Sequence, residues 1–513
     1  MTLGVVGAGT MGAGIAQLGC QAGEETLLLD PDEGALARAR RSIEAGVAKA
    51  AAKGRSDADA AQRLRVVTTF MDLAGCDVVI EAIPEDLALK QRVFGEVAAV
   101  TRSKCVLATN TSSIPVTAIA AGLDRPERVV GMHFFNPAPV MRLVEVIAGV
   151  DSAPWALERV RALGAAMGRT VIDAADGPGF LVNRCNRPFG LEAVRCLQER
   201  LGDVETIDRI VRMGGGFRMG PFELSDLVGI DVGFEVAKSF YELSFGEPRW
   251  RPSPLQARMA ASGRHGRKTG RGWYEYGDAP HRPDDPPAPQ AAPVEGFLAI
   301  AGGGPLCEEL TEAAIAAGWD VRHPGEVDGD VPWLSIDCGR DEDDPPLEGA
   351  PQLLLCDRAS LAALDGDGPA AGFHALPPLA DARLVEMTRG PYTADAAAER
   401  GERFFATLGK HVAWVGDAPG LVLGRIVCQL VNEAAFALGE GVGSAGDIDT
   451  GMVLGMNHPR GPLEWADLIG IEHVAAVLVA LRAETGEERY RLAPALRRRL
   501  ELGLTFREDD ALD

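Results

Sequence analysis

No apolar run in this 513-residue chain approaches the roughly 20 residues that a membrane helix needs. The opening MTLGVVGAG lacks a basic n-region, an apolar h-region and a cleavage site, which argues against export. Positive charge is short as well. Lys and Arg number 51 against 74 Asp and Glu, giving a net charge of -23 and a pI near 4.9, whereas a nucleic-acid binder usually shows a basic face. Neither a membrane nor a nucleic-acid partner is expected. The nine cysteines include no CxxC pair, and their odd number suits a reducing cytoplasm better than a disulfide framework. The same absence removes any zinc signature, so no metal is expected. Small ligands stay open, because a local basic pocket can sit on an acidic protein. The expectation is a soluble, cytoplasmic, globular chain with room for three or four domains.

What the chain does have is repetition. GMHFFNPAPVMRLVEVIAG at 131 and GFHALPPLADARLVEMTRG at 372 match at eight of nineteen positions, where average composition gives roughly one. A shift of 241 carries His133 to His374, Glu145 to Glu386, Gly179 to Gly420, Arg184 to Arg425 and Asp226 to Asp467. Nearer the start of each copy the shift is 295, pairing Gly7 with Gly302 and Gly9 with Gly304, so the second copy has lost about 54 residues, 295 minus 241. One shift held over about a hundred residues means duplication. Between the copies, residues 279–295 hold six prolines in seventeen positions, the composition of an extended, exposed linker.

Within the first copy, short apolar runs (TLGVVG, ETLLLD, CDVVIEAI, CVLATN, RVVGMHF, LVEVIAG) alternate with helical stretches up to about residue 172, as in a parallel sheet with crossover helices. From 173 to 278 apolar residues recur at helical spacing. The expected domains are therefore 1–172 (α/β), 173–278 (all-α), the linker, 296–412 (a reduced α/β copy) and 413–513 (a second all-α copy).

GAGTMG at 7–12 fits GxGxxG, a weak signal alone in a chain with 61 glycines. Here it follows the strand TLGVV and opens a helix, the context of a dinucleotide site. Gly7 permits the tight turn, Gly9 lets backbone approach a pyrophosphate, and Gly12 lets the helix pack on the strand. Eighteen residues beyond Gly12, Asp30 closes the strand ETLLLD and is placed to accept ribose hydroxyls. Its charge repels a 2′-phosphate and no arginine follows it, which points to NAD and not NADP. His133 ends one strand and Glu145 lies on the next. A histidine with a carboxylate on its second nitrogen makes a general base near neutral pH, and an inert core pair fits the same two residues.

Together GAGTMG, VIEAIPEDLALK at 79–90, NTSSI at 110–114, HFFNPAPVMRLVEVI at 133–147, GPGFLVNR at 177–184, GPFELSDLVGID at 220 and GRKTGRGWYEY at 266 resemble the L-3-hydroxyacyl-CoA dehydrogenase family. The resemblance runs from about residue 3 to 278, and longer members with a second C-terminal copy include hydroxybutyryl- and hydroxyadipyl-CoA types. It implies a Rossmann domain, then an all-α 6-phosphogluconate-dehydrogenase-like domain, then a degenerate second copy. It also implies NAD-dependent oxidation of an acyl-CoA substrate at its 3-hydroxyl. His133 would be the base and Glu145 its orienting partner, with Ser112, Asn183 and Asn136 around the substrate. Gly7, Gly9, Thr10, Met11, Gly12, Asp30, Glu85, Lys90 and Asn110 would hold the cofactor. Asp86 stands where the family usually has asparagine. Lys53 matches a lysine that touches coenzyme A, although its surroundings favour a solvated surface lysine.

The second copy reads differently. Gly12 becomes Cys307, which would crowd the phosphate turn; Asn136 becomes Pro377, Asn183 becomes Gly424, and no acid stands at the Asp30 position. His374 and Glu386 are then expected to hold two neighbouring strands together. The resemblance suggests that the two helical copies pair within one chain, a pseudo-dimer with one working site; further homo-oligomerisation is left open. A dehydrogenase of free hydroxy acids and a non-catalytic acyl-CoA or NAD binder are the rival readings.

Overall fold

The computed structural model describes residues 1–291, 293–327, 329–339 and 349–507. The acidic run at 340–349, expected as a solvated linker, lies outside the described residues but for Gly349. The chain divides into two compact units. The first is Met1–Arg184 with Glu440–Met456, and the second is Cys185–Gly439 with Asn457–Asp513.

The first unit is built on an eight-stranded sheet. Its strands are β1 (Thr2–Val6), β2 (Glu25–Leu29), β3 (Leu64–Val67), β4 (Val78–Glu81), β5 (Val106–Thr109), β6 (Val129–Phe134), β7 (Leu143–Ala148) and β8 (Thr170–Ala175), in the order β3-β2-β1-β4-β5-β6-β7-β8. All neighbours are parallel except β6 and β7. Strands β4, β5 and β6 are buried along their whole length, as apolar runs covered on both faces must be. β8 crosses residue 172, so the sheet extends three residues beyond the expected boundary. Helix Glu33–Ala51 starts at the N-cap Asp32 and buries Leu36, Ala39, Ile43 and Val47, a single apolar stripe at helical spacing. The order of strands switches direction between β1 and β4. Ligands of open α/β sheets bind at that point, beyond the carboxyl ends of the strands.

In the second unit a seven-stranded sheet repeats this order with one edge strand fewer. It comprises β9 (Phe297–Gly302), β10 (Asp320–Arg322), β11 (Leu334–Cys338), β12 (Gln352–Leu355), β13 (Ala371–His374), β14 (Leu384–Arg389) and β15 (His411–Val415), ordered β10-β9-β11-β12-β13-β14-β15. The counterpart of β3 is gone; β10 passes to β11 through the single turn Pro324–Glu326. The missing residues thus removed an edge and left the centre of the sheet intact. After GPGFLVNR the chain forms two successive helices, Val182–Cys185 and Arg187–Gln198. Pro188 lacks the N–H that an uninterrupted helix requires. In the second copy Gln429 stands at that position, and Leu423–Gly439 runs as one helix, buried from Leu423 to Leu438. The Pro-rich linker has no regular structure, yet His281 and Arg282 bind Glu223 at 2.8 and 2.7 Å and Asp285 binds Arg212 at 2.9 Å. Further along, the Pro287 carbonyl meets His411 Nε2 at 2.7 Å and Glu295 pairs with Arg403 at 3.5 Å.

Among the described residues no helix is long and apolar enough to cross a membrane. All nine cysteines are free and buried.

Burial shapes the titration of the second unit. It holds the His374 imidazole well below its usual range, His473 down to about 4 and His458 down to about 3. A base depressed in the folded state stabilises above its unfolded value and loses that stabilisation as pH falls toward the folded one. Thermal unfolding followed from pH 6.5 to 4 should therefore show a falling Tm, and His473→Asn should flatten the slope. An unchanged slope in the variant would remove this histidine from the account.

Candidate active site

The three motif glycines meet three different constraints. Gly7 has φ +106°, and a β-carbon there would lie 2.6 Å from the Ala82 carbonyl oxygen; one on Gly12 would lie 1.8 Å from the Gly7 oxygen. A β-carbon on Gly9 meets nothing within 4 Å, so the backbone there faces open space at the start of helix Thr10–Gln21. Thr10 is exposed and Met11 half-buried at this helix start. Asp30 braces the turn: its Oδ2 accepts from the Ala8 N–H at 2.8 Å and its Oδ1 from the Asp32 N–H at 2.9 Å. The set suits a dinucleotide, with free space for a pyrophosphate above a helix start and a carboxylate at the end of β2.

Across the switch point lies a polar cluster of which the sequence revealed only part. Lys90 Nζ, buried, bonds Glu81 Oε1 at 2.7 Å and Glu85 Oε2 at 3.2 Å. Glu81 also accepts from the Thr109 hydroxyl at 2.8 Å and the Ile83 N–H at 2.7 Å. Glu81 and Thr109 were missed, although an acid ending a buried apolar strand nine residues before a lysine is a readable signal. Glu85 gathers the turn after β5, accepting from the Thr111 hydroxyl at 2.6 Å, the Ser112 and Ser113 N–H groups at 3.0 and 3.1 Å and the Ser113 hydroxyl at 2.9 Å. Against the burial that would raise it, Thr111 and Lys90 hold the Glu85 carboxyl below its usual range. Asp86 caps helix Leu87–Val100, accepting from the Leu89 N–H at 2.7 Å. An asparagine would do the same, so the departure from the family pattern leaves this cap intact.

His133, at the end of β6, pairs in register with Glu145 on β7, and its Nδ1 lies 2.6 Å from Glu145 Oε2. Glu145 is fully buried. Its second oxygen, Oε1, accepts from the Leu181 and Val182 N–H groups at 3.1 and 2.9 Å. With Nδ1 committed, Nε2 is the nitrogen left to exchange a proton. The rings of Phe135 and Phe180 lie 4.7 and 5.9 Å from the imidazole and give it an apolar wall. Asn110 Oδ1 accepts from the Phe134 N–H at 2.8 Å and so fixes the end of β6. Asn136 is exposed in the turn beyond His133, where the Asn136–Pro137 peptide is cis, and Asn183 is half-buried on Val182–Cys185. Ser112 is exposed, its hydroxyl 3.5 Å from Glu85 Oε1. All these residues belong to the first unit. Lys53 does too, but it is exposed on the turn after helix Glu33–Ala51.

In the second copy the pair comes apart. His374 and Glu386 stay opposite each other in β13 and β14, but both Glu386 oxygens turn to the Val422 and Leu423 N–H groups at 2.8 and 3.0 Å. His374 Nε2 meets His473 Nε2 at 3.0 Å, and its Nδ1 has no partner. The expectation that the pair ties the two strands by its side chains is thus corrected. Each member found a different partner, and burial pushes Glu386 up to about 8. The phosphate turn has also been re-routed. Gly304 takes φ +86° where Gly9 has φ -70°, and Cys307 is buried in helix Pro305–Ala316. Gly325 stands where Asp30 would be.

Comparison with known proteins agrees with this geometry. Residues 2–177 match the 3-hydroxyacyl-CoA dehydrogenase NAD binding domain, and residues 179–276 and 420–510 match the 3-hydroxyacyl-CoA dehydrogenase C-terminal domain. A 3-hydroxyadipyl-CoA dehydrogenase of Escherichia coli K12 is 35% identical over 502 residues, 97% of each chain. The chain belongs to the 3-hydroxyacyl-CoA dehydrogenase family. A 3-hydroxybutyryl-CoA dehydrogenase of Mycobacterium tuberculosis is 39% identical over 280 residues, 53% of this chain and 98% of its own. The crystal structure of a 3-hydroxybutyryl-CoA dehydrogenase from Escherichia coli K12 superposes with a TM-score of 0.83 at 34% identity over 98% of each chain. This hydroxyacyl-CoA dehydrogenase is thus an NAD-dependent oxidoreductase with two C-terminal family domains, one in each copy.

The Lys90–Glu81 pair supplies a stability test for this dehydrogenase. Removing one partner of a buried pair strands the other charge and costs about 3–5 kcal/mol. Lys90→Met should lower the unfolding free energy from denaturant titration by that order. An unfolding free energy within error of wild type would mean that the pair adds nothing to stability.

Proposed function

We propose that the first copy oxidises (S)-3-hydroxyacyl-CoA to 3-oxoacyl-CoA, reversibly, with His133 as general base. The carrying observation is the 2.6 Å contact of His133 Nδ1 with a Glu145 carboxylate that two backbone N–H groups hold by its other oxygen. Nε2 takes the 3-hydroxyl proton as the C–H bond at C3 gives up its hydride. Glu145 keeps the tautomer and stabilises the imidazolium that results. Bound NAD supplies the hydride acceptor. Gly7, Gly9, Thr10, Met11 and Gly12 would receive its pyrophosphate and Asp30 the adenine-side ribose; Glu85, Lys90 and Asn110 would line the nicotinamide end. Ser112, Asn183 and Asn136 would donate to the substrate oxygen and hold the acyl chain, polarising the carbonyl without competing for the proton. Lys53 would reach coenzyme A only from its exposed turn.

The second copy is read as non-catalytic scaffold. Its support lies in contacts that repeat under the 241 shift with the copies exchanged. The Ala175 N–H donates to the Val442 oxygen at 2.8 Å, and the Gly416 N–H donates to the Leu201 oxygen at 2.8 Å. Arg184 pairs with Glu440 at 2.7 Å, and Arg425 pairs with Glu199 at 2.5 Å. Residue i meeting j while j meets i is the mark of an isologous dimer interface, here made inside one chain at high effective concentration.

The test is NADH oxidation with acetoacetyl-CoA by the wild type and a His133→Asn variant. A general base contributes roughly 10²–10⁴-fold, so the variant should lose at least that much turnover while still binding NADH. Full turnover by the variant would remove His133 from the chemistry. No turnover by a folded, NADH-binding wild type would redirect the reading to free hydroxy acids.

A further inference from the structure

The first unit contains a segment that the first copy does not encode. Glu440–Met456, from the second copy, folds with Met1–Arg184. Its helix Ala445–Met456 packs on β7 and β8. A β-carbon on Gly451 would lie 2.8 Å from Val182 Cγ2 and 2.9 Å from Ile172 Cδ1. One on Gly455 would lie 2.9 Å from Leu143 Cδ2, 3.1 Å from Val182 Cγ1 and 3.5 Å from Phe135 Cε1, and one on Gly443 would lie 3.0 Å from Leu181 Cδ2. These are the residues around the His133–Glu145 pair. Leu181 and Val182 donate their N–H groups to Glu145, and Phe135 walls the imidazole. The segment touches no reacting atom, yet it backs every group that orients the pair.

Phe180, immediately before the two donors, has φ +51°, and its counterpart Leu421 has φ +47°, so this left-handed turn belongs to both copies. The close approach is only partly shared by the reciprocal contact. There helix Val204–Gly215 packs against β14, and β-carbons on Gly214 and Gly215 would lie 3.2 and 2.9 Å from Leu423, the counterpart of Val182, but Ile210 stands where the second copy has Gly451. The approach at Gly451 is the one confined to the side of the intact pair.

We propose that residues 440–456 of the second copy are a positioning element of the active site, with Gly451 and Gly455 setting the Leu181–Val182 turn and through it the Glu145 carboxylate. The worn copy then completes the catalytic wall as well as pairing with the first. This rests on the reading of His133 as the base.

The test is a cycle of Gly451→Ala, Val182→Ala and the double variant, with His133→Asn run beside it. For each, kcat, both KM values, the pH profile of kcat and NADH binding by fluorescence are measured in the full chain. An added methyl at 451 must displace Val182, and a misplacement near 1 Å costs about 10²-fold. Gly451→Ala should therefore lose kcat on that order with NADH binding unchanged. Its acid limb should move to lower pH, because a displaced Glu145 stabilises the imidazolium less. Trimming Val182 removes the nearer of the two contacts and leaves the end of the Ile172 side chain at 2.9 Å, so the double variant should recover part of the lost rate. Wild-type kcat in Gly451→Ala overturns the inference, as does a loss that the double variant does not relieve. Should Gly451→Ala fail to bind NADH, Gly455→Ala, which meets Val182 at 3.1 Å, decides in the same way: lowered kcat with NADH bound supports the inference, and unchanged kcat overturns it. If His133→Asn keeps full turnover, the catalytic reading itself falls; if it loses turnover while Gly451→Ala does not, only the positioning role falls.

Discussion

A carboxylate with no exposed surface governs the arrangement of this enzyme's working site. Burying an ionised group is tolerable only when its lone pairs are met by donors. Glu145 meets three, the His133 ring nitrogen and the Leu181 and Val182 amides. Those bonds join β6, β7 and the turn that leads out of β8, so the same interaction that fixes the imidazole also closes that end of the sheet. In the second copy Glu386 keeps the two amides and loses the histidine. The structural half of the device survived there and the chemical half did not.

Much of this was legible in the sequence, because the features concerned are set by local sterics and spacing. The three glycines of GAGTMG could be assigned separate tasks, and the backbone angles and close approaches at Gly7 and Gly12 agree with them. The His133–Glu145 pairing followed from two strands twelve residues apart in phase. What stayed hidden depended on side-chain choice among several partners. His374 and Glu386 face each other across a ladder as their counterparts do, and nothing in the spacing says that His473 will draw one imidazole away. Glu81 was overlooked because its partner Lys90 comes from a helix after an intervening turn. The overrun of β8 past 172 is a boundary effect, and the break at Pro188 follows from the N–H that proline lacks.

The two copies retain some positions and change others. Gly179, Arg184 and Asp226 recur as Gly420, Arg425 and Asp467, and His133 and Glu145 as His374 and Glu386, while the positions of Gly12, Asp30, Asn136 and Asn183 have changed. Arg425 shows what one retained residue does. Almost fully buried, it bonds Glu199 at 2.5 Å and the Tyr490 hydroxyl at 2.8 Å, with Glu192 at 3.4 Å. Such a cluster ties a helix of the first copy to a helix of the second, and removing one member would strand the others.

One working site per chain, assembled with the help of both copies, is the central claim. The most direct measurement is the stoichiometry of NADH binding to the full chain, by titration calorimetry at protein concentrations well above Kd. The account predicts one NADH per chain, because the second glycine turn is re-routed and Gly325 stands where the first copy has Asp30. Two equivalents per chain would contradict it and return the second copy to the list of active sites.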